Sequence, residues 1–169
     1  MASDMFIVFG TGGKGVKVEG ETQDAVFKDK KGIEVQSFSW GVSNPTIVGT
    51  GGGMGAGKAS FSSLNFMKYA DAATAALLTS VASGEHFDVV TLHCRRAGGD
   101  AQEYLVITLN EVLVESVQHS GSDGGGIASE SVSVAFGKVK TEYFAQSAKG
   151  EKAAAAKTFT WDITKNAKS

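Results

Sequence analysis

Apolar and polar residues alternate along most of the chain, the pattern of a β-strand with one buried face. The alternation is regular in VKVEG at 16–20 and in SVSVAF at 131–136. It predicts strands at 5–9, 16–20, 33–40, 59–66, 87–95, 104–117, 131–144 and 159–163. Irregularities at Asn110–Glu111 and at Gly137 predict bends or β-bulges in the two longest of these strands.

One segment departs from the period of two and predicts an α-helix at about 71–83. Its apolar residues recur at helical spacing: Ala73, Leu77, Leu78 and Val81. Asp71 is a preferred N-cap residue, and Gly84 suits the position just after the helix. Many strands around one helix predict a mainly β fold, a compact β-barrel of two packed antiparallel sheets flanked by this helix.

A long extended loop is predicted at about 44–58, between two of the strands. It begins at the turn signal Asn44–Pro45, which holds the only proline of the chain, and six of the nine residues 49–57 are glycine. Apolar side chains on such a loop favour burial against another protein surface. The residues predicted to form a subunit interface are Asn44, Pro45, Ile47, Val48, Met54 and Lys58.

Length and composition are those of an ordinary globular protein. The 169 residues predict one domain, 1–169. The 22 glycines suit the turns and bulges of a β protein. The formal net charge of −2, with both signs mixed along the chain, disfavours nucleic acid as the main partner.

The sequence also predicts where the protein is made. Residues 1–10 lack a cationic leader, and no apolar run reaches the roughly 18–20 residues of a membrane span. We therefore expect synthesis in the cytoplasm without a signal peptide, no membrane insertion, and export by a route that reads no N-terminal signal. The single cysteine, Cys94, cannot form an internal disulfide, which fits a reducing compartment.

Two glycine-rich segments resemble nucleotide-binding motifs. Residues 10–15 match G-x-G-x-x-G, but the strand-like 16–20 follows where that motif requires a helix. Residues 52–58 resemble a P-loop, but Ala59 replaces the Ser or Thr that would hold magnesium, and a strand-like pattern follows. A turn and a loop are the favoured interpretations.

Other candidate chemistry is weak. His86, His93 and His119 have no metal-ligand spacing with one another or with Cys94. His93 and Cys94 are adjacent on one strand and point to opposite faces, so they cannot form a nucleophile–base pair. Cys94 is interpreted as a small core residue. The sequence therefore predicts no enzyme activity, no cofactor and no metal.

Several motifs in order resemble the haemolysin-coregulated protein (Hcp) family of bacterial type VI secretion, over nearly the whole chain. The most recognisable is SFSWGVSN at 37–44. Further segments that resemble the family lie at 18–24, 65–71, 96–99, 103–107, 111–114 and 131–140. Two features depart from its pattern, a longer glycine turn at 10–15 and the glycine-rich run at 49–57.

This resemblance implies a β-barrel flanked by a helix, assembled into hexameric rings that stack into a hollow tube. It further implies effector delivery by that tube, partners in the sheath and spike of the secretion apparatus, and release into the extracellular space. Two alternatives remain at this point. One is a monomeric soluble β-barrel that binds a ligand or carries an effector, and the other is a nucleotide-dependent enzyme using Lys58.

Overall fold

The computed structural model describes residues 3–48, 54–97, 101–146, 151 and 155–169. Within them the chain forms one α-helix, α1 (Thr74–Ser83), and thirteen β-strands. The strands are β1 (Ser3–Phe9), β2 (Ile33–Glu34), β3 (Ser37–Ser39), β4 (Val42–Ser43), β5 (Thr46–Val48), β6 (Met54–Ala56), β7 (Ser60–Phe61), β8 (Leu64–Tyr69), β9 (His86–Arg96), β10 (Glu103–Ser120), β11 (Ser129–Ala135), β12 (Lys138–Tyr143) and β13 (Lys157–Asp162).

Nine of the strands form one antiparallel sheet that curls into a barrel. Its order is β2-β1-β9-β10-β11-β8-β3, with β12 and β13 attached to β10. The segment 33–39 joins the two ends, because its first half pairs with β1 and its second half with β8. At the switch Val35 donates to the Met5 carbonyl at 2.9 Å, and Gln36 donates to the Met67 carbonyl at 2.7 Å. The predicted mainly β barrel is confirmed.

The longest strand, β10, turns a corner in its middle. Up to Asn110 it pairs with β12, and from Leu113 it pairs with β11. Glu111 at the corner has a positive φ of 56°, and Gly137 opposite donates to the Asn110 carbonyl at 3.0 Å. A Cβ at Gly137 would collide with the Glu111 side chain. The irregularities predicted at 110–111 and at 137 are therefore the two sides of one bend.

The helix lies on the barrel with Leu77 fully buried and the next residue, Leu78, 42% exposed. The prediction that Leu78 belongs to the buried face is wrong. Consecutive helical residues are about 100° apart, and the buried stripe is centred on Leu77 and Ser80. Ser80 is tolerated there because its hydroxyl donates to the Ala76 carbonyl at 2.7 Å.

The helix starts at Thr74 and its N-cap is Ala73, so the prediction of Asp71 as the N-cap is wrong, whereas the predicted end is confirmed. The Asp71 carboxylate accepts the Ala73 amide at 2.9 Å, one turn before the helix begins at Thr74. Gly84 adopts the left-handed conformation with φ 63° and ends it, as predicted.

The prediction of a strand at 16–20 is wrong. The segment forms no strand ladder, although Val18 packs into the barrel core. Gly20 instead donates to the Lys31 carbonyl at 2.8 Å, and its α-carbon lies so close to Gly32 that a side chain would clash with the Gly32 backbone. The alternation at 16–20 thus reflects how side chains pack, without strand pairing.

Candidate assembly surface

The predicted loop at 44–58 contains an antiparallel hairpin. Strands β5 and β6 pair through Thr46 and Ala56, Ile47 and Gly55, and Val48 and Met54. At its base β4 pairs with β7, with Val42 opposite Phe61. We call the segment 42–61 the arm. Of the predicted glycine run, residues 49–53 lie outside the described residues.

The base of the arm is fastened to the barrel. The Phe61 ring stacks on the Trp161 ring of β13, with centroids 6.3 Å apart. Gly57 donates to the Pro45 carbonyl at 3.1 Å, and a Cβ at Gly57 would lie 2.8 Å from that oxygen. The Phe61 contact ties the arm to the barrel, and the Gly57 contact holds the two strands of the arm together near its base.

Most described residues of the arm are exposed, whereas Gly57, Ala59 and Phe61 near its base are partly buried. Asn44, Pro45, Thr46 and Lys58 are exposed, and so is Val42. Of the other predicted interface residues, the structure pairs Val48 with Met54 across the ladder and places Ile47 beside them. The side chains of these three lie outside the described part of the chain. The ladder thus brings the predicted residues onto one projecting element, and their role at an interface stays a prediction.

A second surface, which we call the serine face, was not predicted. It is the outward side of β3, β8 and β11, where polar residues of neighbouring strands lie opposite one another. Residues on it are Ser37, Ser39, Asn65, Met67, Tyr69, Ser129, Ser131 and Ser133. None of these eight residues is charged. A shallow groove of about 180 Å³ runs over Met67 between the strands. The serine positions in SVSVA at 131–135 were the sequence signal for this face.

A buried ion cluster lies behind the serine face. Lys68 and Glu130 are fully buried and form an ion pair. The Lys68 ammonium also lies 2.8 Å from Asp71 Oδ1, just before α1, and donates to the Tyr69 carbonyl at 2.8 Å. Glu130 Oε1 lies 3.4 Å from Nε2 of the part-exposed His119. Lys68 shares the inward side of β8 with Leu64 and Phe66, and neither this position nor the cluster was predicted.

A small aromatic layer covers the outside of β1 and β9. Phe6 and Phe27 stack with centroids 4.4 Å apart, and the Arg95 guanidinium lies over both rings. Arg95 also binds the Asp24 carboxylate, with Nη1 to Oδ1 at 3.1 Å. This hydrogen bond is the main cause that lowers the pKa of Asp24, and amides at Val26 and Phe27 lower it further against the opposing effect of burial.

The candidate catalytic residues are poorly placed for chemistry. Cys94 is buried, which raises its pKa to about 12, with the negative Glu103 as a second cause. Its thiolate is therefore scarce at neutral pH. His93 Nδ1 lies 2.6 Å from Glu103 Oε1, on the opposite side of the strand from the core. Lys58 leads into β7, so the helix that a P-loop requires does not follow it.

Two further observations concern metals and membranes. Among the residues that the structure describes, no group of three or more His, Cys, Asp and Glu side chains is arranged to hold a metal ion. Likewise, no helix in the described ranges is long and apolar enough to cross a membrane.

Together the fold and these surfaces define a helix-flanked antiparallel β-barrel with a projecting hairpin arm. A sequence model of the family described as "Type VI secretion system effector, Hcp" matches residues 10–143. The chain is 39% identical over 167 residues to Protein hcp1 of Pseudomonas aeruginosa, with 98% of each chain covered. The chain therefore belongs to the Hcp family of type VI secretion proteins, as its motifs predicted.

Solved structures agree with this assignment. One is described as the structure of a type six secretion system protein, with a TM-score of 0.90, 30% identity, and 99% of this chain and 100% of that chain covered. Another is the crystal structure of Hcp1 from Salmonella typhimurium, with a TM-score of 0.75, 32% identity and full coverage of both chains. The fold of this chain is thus similar to that of solved type VI secretion proteins.

Proposed function

We propose that this protein is the building block of a type VI secretion tube, forming hexameric rings that stack into a hollow conduit. In this proposal the chain acts as one domain, 1–169, in a structural role without catalysis. Membership of the Hcp family supports the part of the proposal that assigns this protein to type VI secretion.

The observation that carries the assembly proposal is the arm. A two-stranded hairpin has little intrinsic stability in water, so it gains from a surface that covers it. The arm is fastened at its base through Phe61, and most of its described residues beyond the base are exposed. We infer that Ile47, Val48 and Met54 pack against a neighbouring copy, within or between rings, with Asn44, Pro45 and Lys58 at the edge of that contact.

The serine face supports the effector-carrying part of the proposal. Small uncharged hydroxyl side chains repel neither acidic nor basic proteins, and Met67 adds limited apolar contact. Such a surface suits passing cargo of varied charge, and we propose that it lines the conduit. The other partners in this proposal are the sheath and spike of the apparatus, and the protein leaves the cell through that apparatus.

Negative-stain electron microscopy of the purified protein, with sizing of the same sample, tests the assembly. We expect rings of six subunits with an open centre, and short stacks of rings at higher concentration. A uniform monomer at every concentration would overturn the ring proposal. It would favour the alternative of a monomeric soluble barrel that carries an effector or another ligand.

A further inference from the structure

The outer side of β1 carries a cleft at each end, and the two clefts differ in charge. At the Asp4 end two adjoining cavities of about 440 and 360 Å³ share Gln23, Glu34 and Gln36. At the Phe9 end a cavity of about 260 Å³ is lined by Lys17, Lys30 and Lys31, with Glu19 as its one carboxylate. We call these the acidic cleft and the basic cleft.

The charges in the acidic cleft are only partly neutralised inside the molecule. Asp4 and Asp24 share Arg95. Asp71, on the far wall, is paired with Lys68. Glu21 and Glu34 form no ion pair with any described residue, and Glu34 only accepts a hydrogen bond from the Thr22 hydroxyl at 2.7 Å. The cleft therefore presents net negative charge to solvent.

The basic cleft carries charge of the opposite sign. Lys17, Lys30 and Lys31 are exposed and make no ion pair within the described chain. Lys30 extends over the Phe27 ring, with its ammonium 5.2 Å from the ring centroid. Net positive charge is thus available for a partner.

The strand register places the clefts at opposite ends of one barrel wall. The segment leading into β2 runs antiparallel to β1, with Ile33 opposite Ile7 and Glu34 opposite Phe6. Lys31 therefore lies toward the Phe9 end. The rise of a strand separates Asp4 from Phe9 by about 17 Å. The two clefts are therefore separate surfaces of one copy, as a head-to-tail contact requires.

The acidic cleft suits a protein surface better than a bound cation. Two large apolar side chains line it, Tyr69 at 52% exposure and Ile127 at 67%. Arg95 lies at the other side of the cleft, where its positive charge would oppose a metal ion. Apolar side chains surrounded by charges of one sign are typical of a docking surface with charge complementarity.

We propose that the basic cleft of one copy docks on the acidic cleft of a second copy, and that this head-to-tail contact stacks one ring on the next. The inference rests on the proposed ring assembly and adds the surface that joins rings. Two clefts of the same charge repel each other, so the charge pattern favours rings that all point in the same direction along the stack.

Paired charge reversals test this contact. Lys17→Glu with Lys30→Glu makes both ends acidic, and Glu21→Lys with Glu34→Lys makes both ends basic. We expect each variant to form rings but to stack at least about tenfold more weakly than the unmodified protein. A one-to-one mixture of the two variants should recover stacking, because acidic ends then meet basic ends. The control is Lys165→Glu with Lys168→Glu, which changes the net charge by the same amount as the Lys17 and Lys30 variant but outside both clefts. It should stack normally.

Electron microscopy and sedimentation velocity at several salt concentrations give the readout. Rings that stack normally in both variants would overturn the inference and leave the ring proposal intact. Variants that lose the ring itself would also overturn it, because the clefts would then join subunits within a ring. If the unmodified protein forms no rings, the ring proposal fails. Sedimentation of the variant mixture still tests whether the two clefts bind each other, and no association in the mixture would overturn the docking.

Discussion

The barrel and the arm are built from the same antiparallel ladders, but their side chains have different surroundings. In the barrel, inward residues such as Ile7, Leu64 and Val132 are fully buried. In the arm, Val42 is about half exposed and Lys58 is exposed. Backbone pairing alone contributes little net stability in water, whereas burying an aliphatic side chain contributes about 1.5–3 kcal/mol. The barrel is therefore stabilised by its own core. The arm is stabilised by the contacts at its base and by any protein surface that covers it.

This difference separates two kinds of substitution. Changes inside the barrel should lower the free energy of unfolding. Changes along the arm should leave that free energy nearly unchanged and act on assembly. The predictions below test this separation, beginning with the largest expected effect.

Removing the buried cation of the barrel should have the largest effect. Lys68→Met leaves the buried Glu130 carboxylate without its buried ammonium partner, so we expect a loss of about 3–5 kcal/mol in the free energy of unfolding. Urea denaturation followed by the fluorescence of Trp40 and Trp161 measures it. The control is Lys140→Met, which removes a part-exposed pair with Glu142 and should cost about 1 kcal/mol or less. Equal effects of the two variants would contradict the role given to the buried pair.

The helix offers a matched pair of neighbouring leucines. Leu77→Ala removes a fully buried side chain and should cost about 2–5 kcal/mol. Leu78→Ala removes a side chain that is 42% exposed and should cost much less than Leu77→Ala, about 1 kcal/mol or less. Thermal unfolding of both variants gives the comparison. A larger loss for Leu78 would show that the helix is rotated from its described position.

The smallest expected effect on the barrel is a change in how its free energy of unfolding depends on pH. Because Arg95 lowers the pKa of Asp24 in the folded state, Asp24 stabilises the fold above the ordinary aspartate pKa of about 3.9. That stabilisation is lost as the pH falls through the lowered pKa. In Asp24→Asn the free energy of unfolding should therefore depend less steeply on pH below about 4. The control is Asp29→Asn in the same turn, and an Asp24→Asn profile that matches the unmodified protein would contradict this account.

Much of the barrel was predictable because alternation reports directly which side of a strand is buried. The bend in β10 was predictable from the break in that pattern at Asn110–Glu111. The false strand at 16–20 shows the limit, since Val18 is buried without strand pairing. Leu78 shows another limit, because two adjacent leucines cannot both lie at the centre of a narrow helical stripe.

The surfaces were less predictable than the core, because they depend on strand order. The sequence indicated a long loop with several apolar side chains at 44–58. The hairpin ladder in it was missed, because a glycine-rich segment carries no alternation that would indicate strand pairing. The serine face joins residues from 37 to 133 that only the sheet brings together. The Lys68–Glu130 pair required the same knowledge, since β8 and β11 are far apart in sequence.

The combined replacement of Ile47, Val48 and Met54 by Ser tests the central claim most directly. Sizing and electron microscopy report assembly, and urea denaturation of the same sample reports the fold. The account predicts that rings and stacks are lost while the free energy of unfolding of the dissociated subunit changes by about 0.5 kcal/mol or less. Unchanged rings and stacks in this variant would contradict the claim that the arm joins neighbouring copies.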